Sequence, residues 1–341
     1  ARRQRQMCIR DRSSLVSGIV GISMALFGLG VWSLVGQQLS RQLLNTFFLW
    51  FYCRWRPAWE FSIESFKEMF GFGSKLLVSG LMDTIYKNIY YIVIGRFYDP
   101  DQLGQYTRAE QFKLIFSSNL TAVVQRVSYP VLSSIQSEPV RLREAYRRVI
   151  KLTMIVTFAC MLGLAAIAKP LIILLIGEKW LPAVPFLQII CFSGMLYPLH
   201  AINLNILQVK GRSDLYLKLE IIKKIIAVIT IFIGIFWGIE CMLWGGVFVS
   251  FISFFLNSYY SADLIDYSTK NQISDIFPFL IISLIVSFCI WLISFTEWSY
   301  IIILIIQIIV GIGLYWFISE KLPIQEYQEV RQLVFSLFKK K

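Results

Sequence analysis

Uninterrupted apolar runs long enough to cross a lipid bilayer recur along this chain, and they constrain its fold more than any other feature. Residues 276–295 and 300–318 contain no charged side chain. Each approaches the ~20 residues a helix needs to cross ~30 Å of hydrocarbon. Lipid offers no hydrogen bonds to an open backbone, so such runs must be helices or closed barrels. Barrel strands would alternate apolar and polar residues over segments of ~10, whereas these runs are continuous, and helices are expected. Composition agrees: 57% of the 341 residues are hydrophobic and 16% charged, against about 25% charged in a soluble domain. Mean hydropathy is +0.63. The expected class is an all-α polytopic membrane protein.

About ten spans are expected, at residues 14–31, 34–52, 75–95, 111–132, 152–176, 184–208, 221–239, 242–262, 276–295 and 300–318. The connections alternate between short ones poor in base and longer ones rich in base. The second set carries Arg54, Arg56, Lys67, Arg141, Arg143, Arg147, Arg148, Lys151, Lys210, Arg212, Lys218, Lys223, Lys224, Lys270, Lys321, Arg331, Lys339, Lys340 and Lys341. The first set carries only Arg96, Arg108 and Lys179. This asymmetry is the positive-inside pattern. It puts the C-terminus and the start of the first span on the cytoplasmic side, and it favours an even number of spans.

Residues 1–12 read ARRQRQMCIRDR, which lacks the charged-then-apolar plan of a signal peptide. They resemble translated adapter sequence and are set aside. With five arginines and one aspartate removed, the net charge of +12 becomes +8. Two flanking segments have the pattern of surface-lying amphipathic helices. One is 60–73, with Phe66, Met69 and Phe70 on one side. The other is the tail 324–341, with Tyr327, Val330, Val334, Leu337 and Phe338 on one side before three lysines. The polar stretch 133–151 has a helical pattern and extends the next span. The six cysteines form no CxxC pair and have no histidine neighbours, so neither a disulfide framework nor a metal site is expected. The absence of a GxxxxGK[ST] motif argues against ATP hydrolysis within this chain.

Ionisable residues are costly in a bilayer and mark cavities or partners. In the third span Asp83 and Lys87 lie four apart and share a helix face with Tyr86 and Tyr90. The fourth span carries Arg108, Glu110, Lys113, Asn119, Gln125 and Arg126. Two adjacent polar stripes suggest the wall of a water-filled cavity. Lys75, Lys87, Lys113 and Arg126 outnumber Asp83 and Glu110, and a basic cavity suits an anionic, phosphate-bearing substrate. The candidate lining residues are Asp83, Lys87, Arg126, Lys113, Tyr86 and Tyr90. The plainer alternative is that Asp83 and Lys87 neutralise each other while Lys75 and Lys113 snorkel to the interfaces. His200, the only histidine, follows Gly194 and Pro198. A proton relay is conceivable there, but satisfying backbone groups freed at a kink is the favoured reading.

Five short signatures occur in order: Gly28-Leu-Gly-Val-Trp-Ser-Leu-Val-Gly-Gln-Gln; Tyr91-Ile-Val-Ile-Gly-Arg-Phe-Tyr-Asp-Pro-Asp-Gln-Leu-Gly-Gln-Tyr-Thr-Arg-Ala; Tyr129-Pro-Val-Leu-Ser-Ser; Ile176-Gly-Glu-Lys-Trp-Leu-Pro-Ala; and Leu207-Gln-Val-Lys-Gly-Arg. Together they resemble the polysaccharide export family of lipid-linked oligosaccharide flippases, within the multidrug/oligosaccharidyl-lipid/polysaccharide exporter superfamily. The O-antigen or exopolysaccharide (colanic-acid-like) subtype is the nearest. The resemblance implies a two-lobed bundle of about fourteen helices that alternates access to a central cavity. On that plan residues 13–56 are the last two helices of the N-lobe and 57–73 a cytoplasmic interfacial linker. Residues 74–320 are a C-lobe of eight spans, 321–341 a cytoplasmic amphipathic tail, and the first four helices are missing.

The resemblance implies translocation of an undecaprenyl-pyrophosphate-linked oligosaccharide across the bacterial inner membrane, with no catalytic step and no cofactor. The implied partners are the lipid-linked oligosaccharide, membrane lipid and glycan polymerase machinery, with no nucleic acid and a monomeric state. Two alternatives are weaker. A multidrug exporter of the same superfamily would need an acidic cavity for cationic drugs. A polytopic enzyme of polysaccharide assembly would need catalytic groups on a soluble face, and the longest connection on the base-poor side is 98–106.

Overall fold

The computed structural model describes residues 2–30, 32–52, 62–321 and 326–328. All regular structure among them is helical. Arg54 and Arg56, and the tail positions Val330, Val334, Leu337, Phe338 and Lys339 to Lys341, lie outside the described residues. The chain divides into two compact units, residues 1–66 and 67–341.

The first unit is a helical hairpin of α1 (Arg2–Leu26) and α2 (Trp32–Tyr52). Its turn depends on Gly28 and Gly30, with φ of +77° and +48°, where a side chain would be strained. Glycine also sets the helix spacing. A Cβ on Gly21 would meet Gln37 at 2.9 Å, and one on Gly36 would collide with the Met24 sulfur, so small residues let the two backbones approach.

The second unit holds most of α3 (Ile63–Phe97), then α4 (Pro100–Ser134), α5 (Pro139–Ala166), α6 (Ala168–Ile176), α7 (Ala183–Gly194), α8 (Tyr197–Val209), α9 (Ser213–Trp237), α10 (Ile239–Ile265), α11 (Thr269–Leu292) and α12 (Tyr300–Lys321). Each expected span coincides with one helix or with a broken pair. The expected span 152–176 is interrupted at Ile167, because Pro170 cannot donate to the Ala166 carbonyl four residues back. The expected span 184–208 breaks between Gly194 and Tyr197 for the same reason, with Pro198 opposite the Gly194 carbonyl. α3 runs unbroken from Ile63, so residues 63–73 of the segment expected as an interfacial linker continue into the third span, while 57–61 lie outside the described residues.

α5 is the centre of the unit. Leu142, Tyr146, Ile150, Met154, Phe158 and Met161 recur at helical spacing and are fully or almost fully buried against α4, α7 and α11. The periphery is inverted relative to a soluble protein. Ile301, Ile302, Ile305, Ile308, Ile309 and Ile312 of α12 are exposed, which in a multi-pass membrane protein is the surface that meets hydrocarbon. Gln307 is buried and ties α12 inward by donating to the Ile290 carbonyl at 2.8 Å and to the Ser294 hydroxyl at 2.8 Å.

Among the described residues five helical segments are long and apolar enough to cross a membrane by length and composition: Pro139–Ala166, Ala183–Val209, Ile239–Ile265, Thr269–Phe295 and Tyr300–Ile318. The count of ten is therefore not set by apolarity alone. The helices that fall short carry polar residues within their spans, such as Arg41 in α2, Asp83 in α3, Glu110 and Arg126 in α4, and Lys223 and Lys224 in α9.

The N-terminal end of α5 carries an ionic network. Arg147 donates from Nε and Nη2 to both oxygens of Asp275 at 2.5 and 2.6 Å, and Tyr267 donates to the same carboxylate at 2.6 Å. Arg143 pairs with Asp266 at 2.7 Å, and Lys151 pairs with Glu326 at 2.8 Å. Beside Glu326, Tyr327 is buried edge-on against Phe279 and Tyr315, with ring centroids at 5.6 and 5.7 Å. The one apolar tail position that is described thus meets protein.

Candidate functional site

A chain of charges and phenols runs between α3 and α9. Asp83, Tyr86 and Tyr90 occupy positions i, i+3 and i+7 of α3, one helix face. Lys224 of α9 reaches them: its ammonium is 2.9 Å from Asp83 Oδ1 and 3.7 Å from Glu220 Oε2. The same ammonium sits 4.1 Å above the centre of the Tyr86 ring, within cation–π range. Glu220 also accepts a close hydrogen bond from Lys223, one turn along α9. Glu220 and Lys223 are buried, while the Asp83 side chain is 39% exposed and that of Lys224 16%. Two carboxylates and two ammoniums compensate one another, as charges in a low-dielectric interior must.

Tyrosines continue the chain. The hydroxyls of Tyr86 and Tyr90 lie 3.2 Å apart, with the rings nearly perpendicular. Tyr90 stacks on Tyr106 at 6.4 Å, and Tyr106 meets Tyr91 edge-on at 5.5 Å. Glu110 of α4 interacts electrostatically with Tyr90, Tyr91 and Tyr106. Tyr90 and Tyr106 are buried, while Tyr86 and Tyr91 are partly exposed. A partly exposed phenol beside paired ammoniums can offer a stacking face and a hydrogen bond to a saccharide and cations to a phosphate.

The residues expected from sequence separate into groups. Asp83, Tyr86 and Tyr90 come together as above. Lys113 reaches this group through Glu110. It pairs with Glu110 at 2.7 Å, and its Cγ and Cδ occupy space 3.1 and 3.2 Å from where a Gly194 side chain would begin. Glycine at the α7–α8 break therefore makes room for this lysine. Arg126 is exposed on α4 and has no hydrogen-bond or ion-pair partner among the described residues. Lys87 is on α3, and its side chain lies outside the described residues. Arg108 stands apart from all of these, over the Trp180 ring at 5.1 Å.

Glu220, Lys223 and Lys224 were missed as site residues because the two lysines read as bases flanking a span. A signal was present: a carboxylate three and four residues before two lysines, at the start of an apolar run, is the spacing of an intrahelical ion pair. His200 lies next to this group. Its Nε2 is 3.0 Å from the Ser250 hydroxyl, which donates to the Ser193 carbonyl at 3.3 Å, and Lys223 acts on it electrostatically. Ser250 thus sits between His200 and the Ser193 carbonyl beside the helix break.

Comparison with known proteins gives a consistent result. Residues 2–185 match the model of a family described as polysaccharide biosynthesis protein. The chain is 30% identical over 230 residues to the teichuronic acid biosynthesis protein TuaB of Bacillus subtilis, covering 67% of this chain and 48% of that protein. It is 26% identical over 180 residues to the lipopolysaccharide biosynthesis protein WzxC of Escherichia coli, covering 53% and 37%. It is 26% identical over 187 residues to the succinoglycan biosynthesis transport protein ExoT of Rhizobium meliloti, covering 54% and 38%. The chain thus spans half or less of the length of these relatives. A solved structure of the lipid II flippase MurJ in an inward closed conformation has the same fold, with a TM-score of 0.63 at 18% identity over 90% of this chain and 66% of that one.

Proposed function

We propose a function from one premise: this chain belongs to the polysaccharide biosynthesis protein family that its residues 2–185 match. The activity we assign, to the whole protein of which this chain supplies helices, is translocation of an undecaprenyl-pyrophosphate-linked oligosaccharide between leaflets of the bacterial inner membrane. The observation that carries this reading is the α3–α9 cluster: Lys224 is shared by Asp83, Glu220 and the Tyr86 ring inside a bundle whose outer helices expose isoleucine to lipid. The names of the relatives and of the MurJ structure point the same way.

In this mechanism an incoming pyrophosphate competes with Asp83 for Lys224, and Lys87 and Arg126 add cationic charge along α3 and α4. Tyr86 and Tyr90 stack against or hydrogen-bond to the sugars, while the prenyl tail stays in the bilayer. Residues 13–56 supply the last hairpin of one lobe and 74–320 the other lobe. Access alternates as the lobes rock, driven by an ion gradient or by substrate flux. The base-rich connections, and with them the C-terminus, face the cytoplasm. The protein acts as a monomer and hands its cargo to glycan polymerase machinery.

The test is complementation of an exporter-null strain with the full-length gene. Lys224→Ala, Lys87→Ala and Arg126→Ala are each expected to cut surface glycan roughly tenfold or more, with the protein still present in the membrane. Normal glycan display in all three variants would remove this site assignment.

A further inference from the structure

The α1–α2 hairpin contains a polar feature that the α3–α9 cluster does not use. Gln38, Arg41, Gln42 and Asn45 fall at positions i, i+3, i+4 and i+7 of α2, a single helix face. Together with Ser13 of α1 they line a cleft of about 350 Å³, at the lower end of the ~300–1,000 Å³ typical of small-ligand sites. Arg41 follows Trp32 by nine residues and precedes Tyr52 by eleven, so at 1.5 Å per residue it stands roughly 14 and 16 Å from the helix ends. That is about half the ~30 Å thickness of the hydrocarbon. A cation at that depth requires an anion or water. None of the lining residues is acidic, and Arg41 has no hydrogen-bond or ion-pair partner among the described residues.

We infer that this cleft is a phosphate-binding subsite, in which the Arg41 guanidinium takes the pyrophosphate of the lipid-linked substrate and the flanking amides take the remaining oxygens. The assignment rests on the proposed flippase function and names a second anion contact for it, on the hairpin itself. The chemistry is specific: the guanidinium is planar, always charged, and forks onto two phosphate oxygens at once. Gln38 and Gln42, one turn apart on either side of it, each add an amide donor and an acceptor. All five lining residues carry polar side chains, so the headgroup is the part it accepts.

Native mass spectrometry of the purified 341-residue chain tests this with three probes: undecaprenyl pyrophosphate, undecaprenol, and phosphatidylglycerol. The chain is expected to bind undecaprenyl pyrophosphate in preference to both other lipids. Arg41→Gln should weaken pyrophosphate binding roughly tenfold or more and leave undecaprenol unchanged. Arg41→Lys keeps the charge but not the fork, and Gln42→Ala keeps the arginine. Both should lose affinity several-fold, which provides readouts should Arg41→Gln fold poorly. Unchanged pyrophosphate binding in these variants, alongside normal binding in the parent chain, would overturn the inference and leave the proposed function standing. Equal loss of phosphatidylglycerol binding would show a general anionic-lipid site and overturn the substrate assignment. A parent chain that does not prefer the pyrophosphate to undecaprenol would instead overturn the flippase function, and this inference with it.

Discussion

At the scale of single residues, the two adjacent lysines of α9 have different jobs. Lys223 and Glu220 are both buried and face each other, so Lys223→Ala leaves Glu220 only the longer contact to Lys224 at 3.7 Å, at a cost of about 1–3 kcal/mol. The double variant Glu220→Gln/Lys223→Gln removes both charges and should recover much of that loss. Thermal unfolding in detergent micelles checks this, and equal destabilisation by the single and double variants would contradict the pairing. Lys224 lies at the open end beside a partly exposed Asp83, so Lys224→Ala should affect stability less and transport more. Half of this arrangement was legible in the sequence. Asp83, Tyr86 and Tyr90 announce themselves by helical spacing, whereas Lys224 meets Asp83 across a sequence separation of 141, which no local pattern encodes. Lys113 shows the same limit: its charge is visible in the sequence, but the glycine that makes room for it lies 81 positions away by residue number.

At the scale of elements, apolar runs located the helices, and proline decided where two of them break. Pro198 marked its interruption openly, with Gly194 beside it. Pro170 did not, because the apolar run continues through Ile167 and masks the lost hydrogen bond. α5, α11 and the segment 326–328 are fastened by charges rather than by apolar packing alone. The Asp275 side chain is 10% exposed and accepts two bonds from Arg147 and one from Tyr267. Asp275→Ala should therefore destabilise the α5–α11 end by roughly 1–3 kcal/mol, at the lower end because Arg147 is half-exposed and screened. A clear fall in the detergent melting temperature is expected, and an unchanged melt would mean the network contributes nothing. These acid partners explain why the base-rich connections are less free than their charge suggests: Arg143, Arg147 and Lys151 are all paired.

At the scale of the whole molecule, the all-helical membrane architecture followed from composition, and the family followed from five short signatures, four of which lie within the residues 2–185 that a family model matches. The number of crossings is the part that composition leaves open, since the helices bearing the polar clusters are also those that fall short on apolarity. Orientation gives a separate test. Reporters fused after residue 321 should be active only in the cytoplasmic form, fluorescent as a GFP fusion and silent as alkaline phosphatase. The reverse pattern would invert the topology derived from 19 bases against three. The central claim is movement of a lipid-linked oligosaccharide by the full-length protein through the α3–α9 cluster. It is tested most directly by reconstituting that protein into liposomes with a fluorescent undecaprenyl-pyrophosphate-linked saccharide and measuring the fraction that an impermeant quencher bleaches over time. Wild type should bleach beyond the outer-leaflet fraction seen in protein-free liposomes, and Lys224→Ala should slow that excess roughly tenfold or more. No excess for wild type, or equal rates for both proteins, would contradict it.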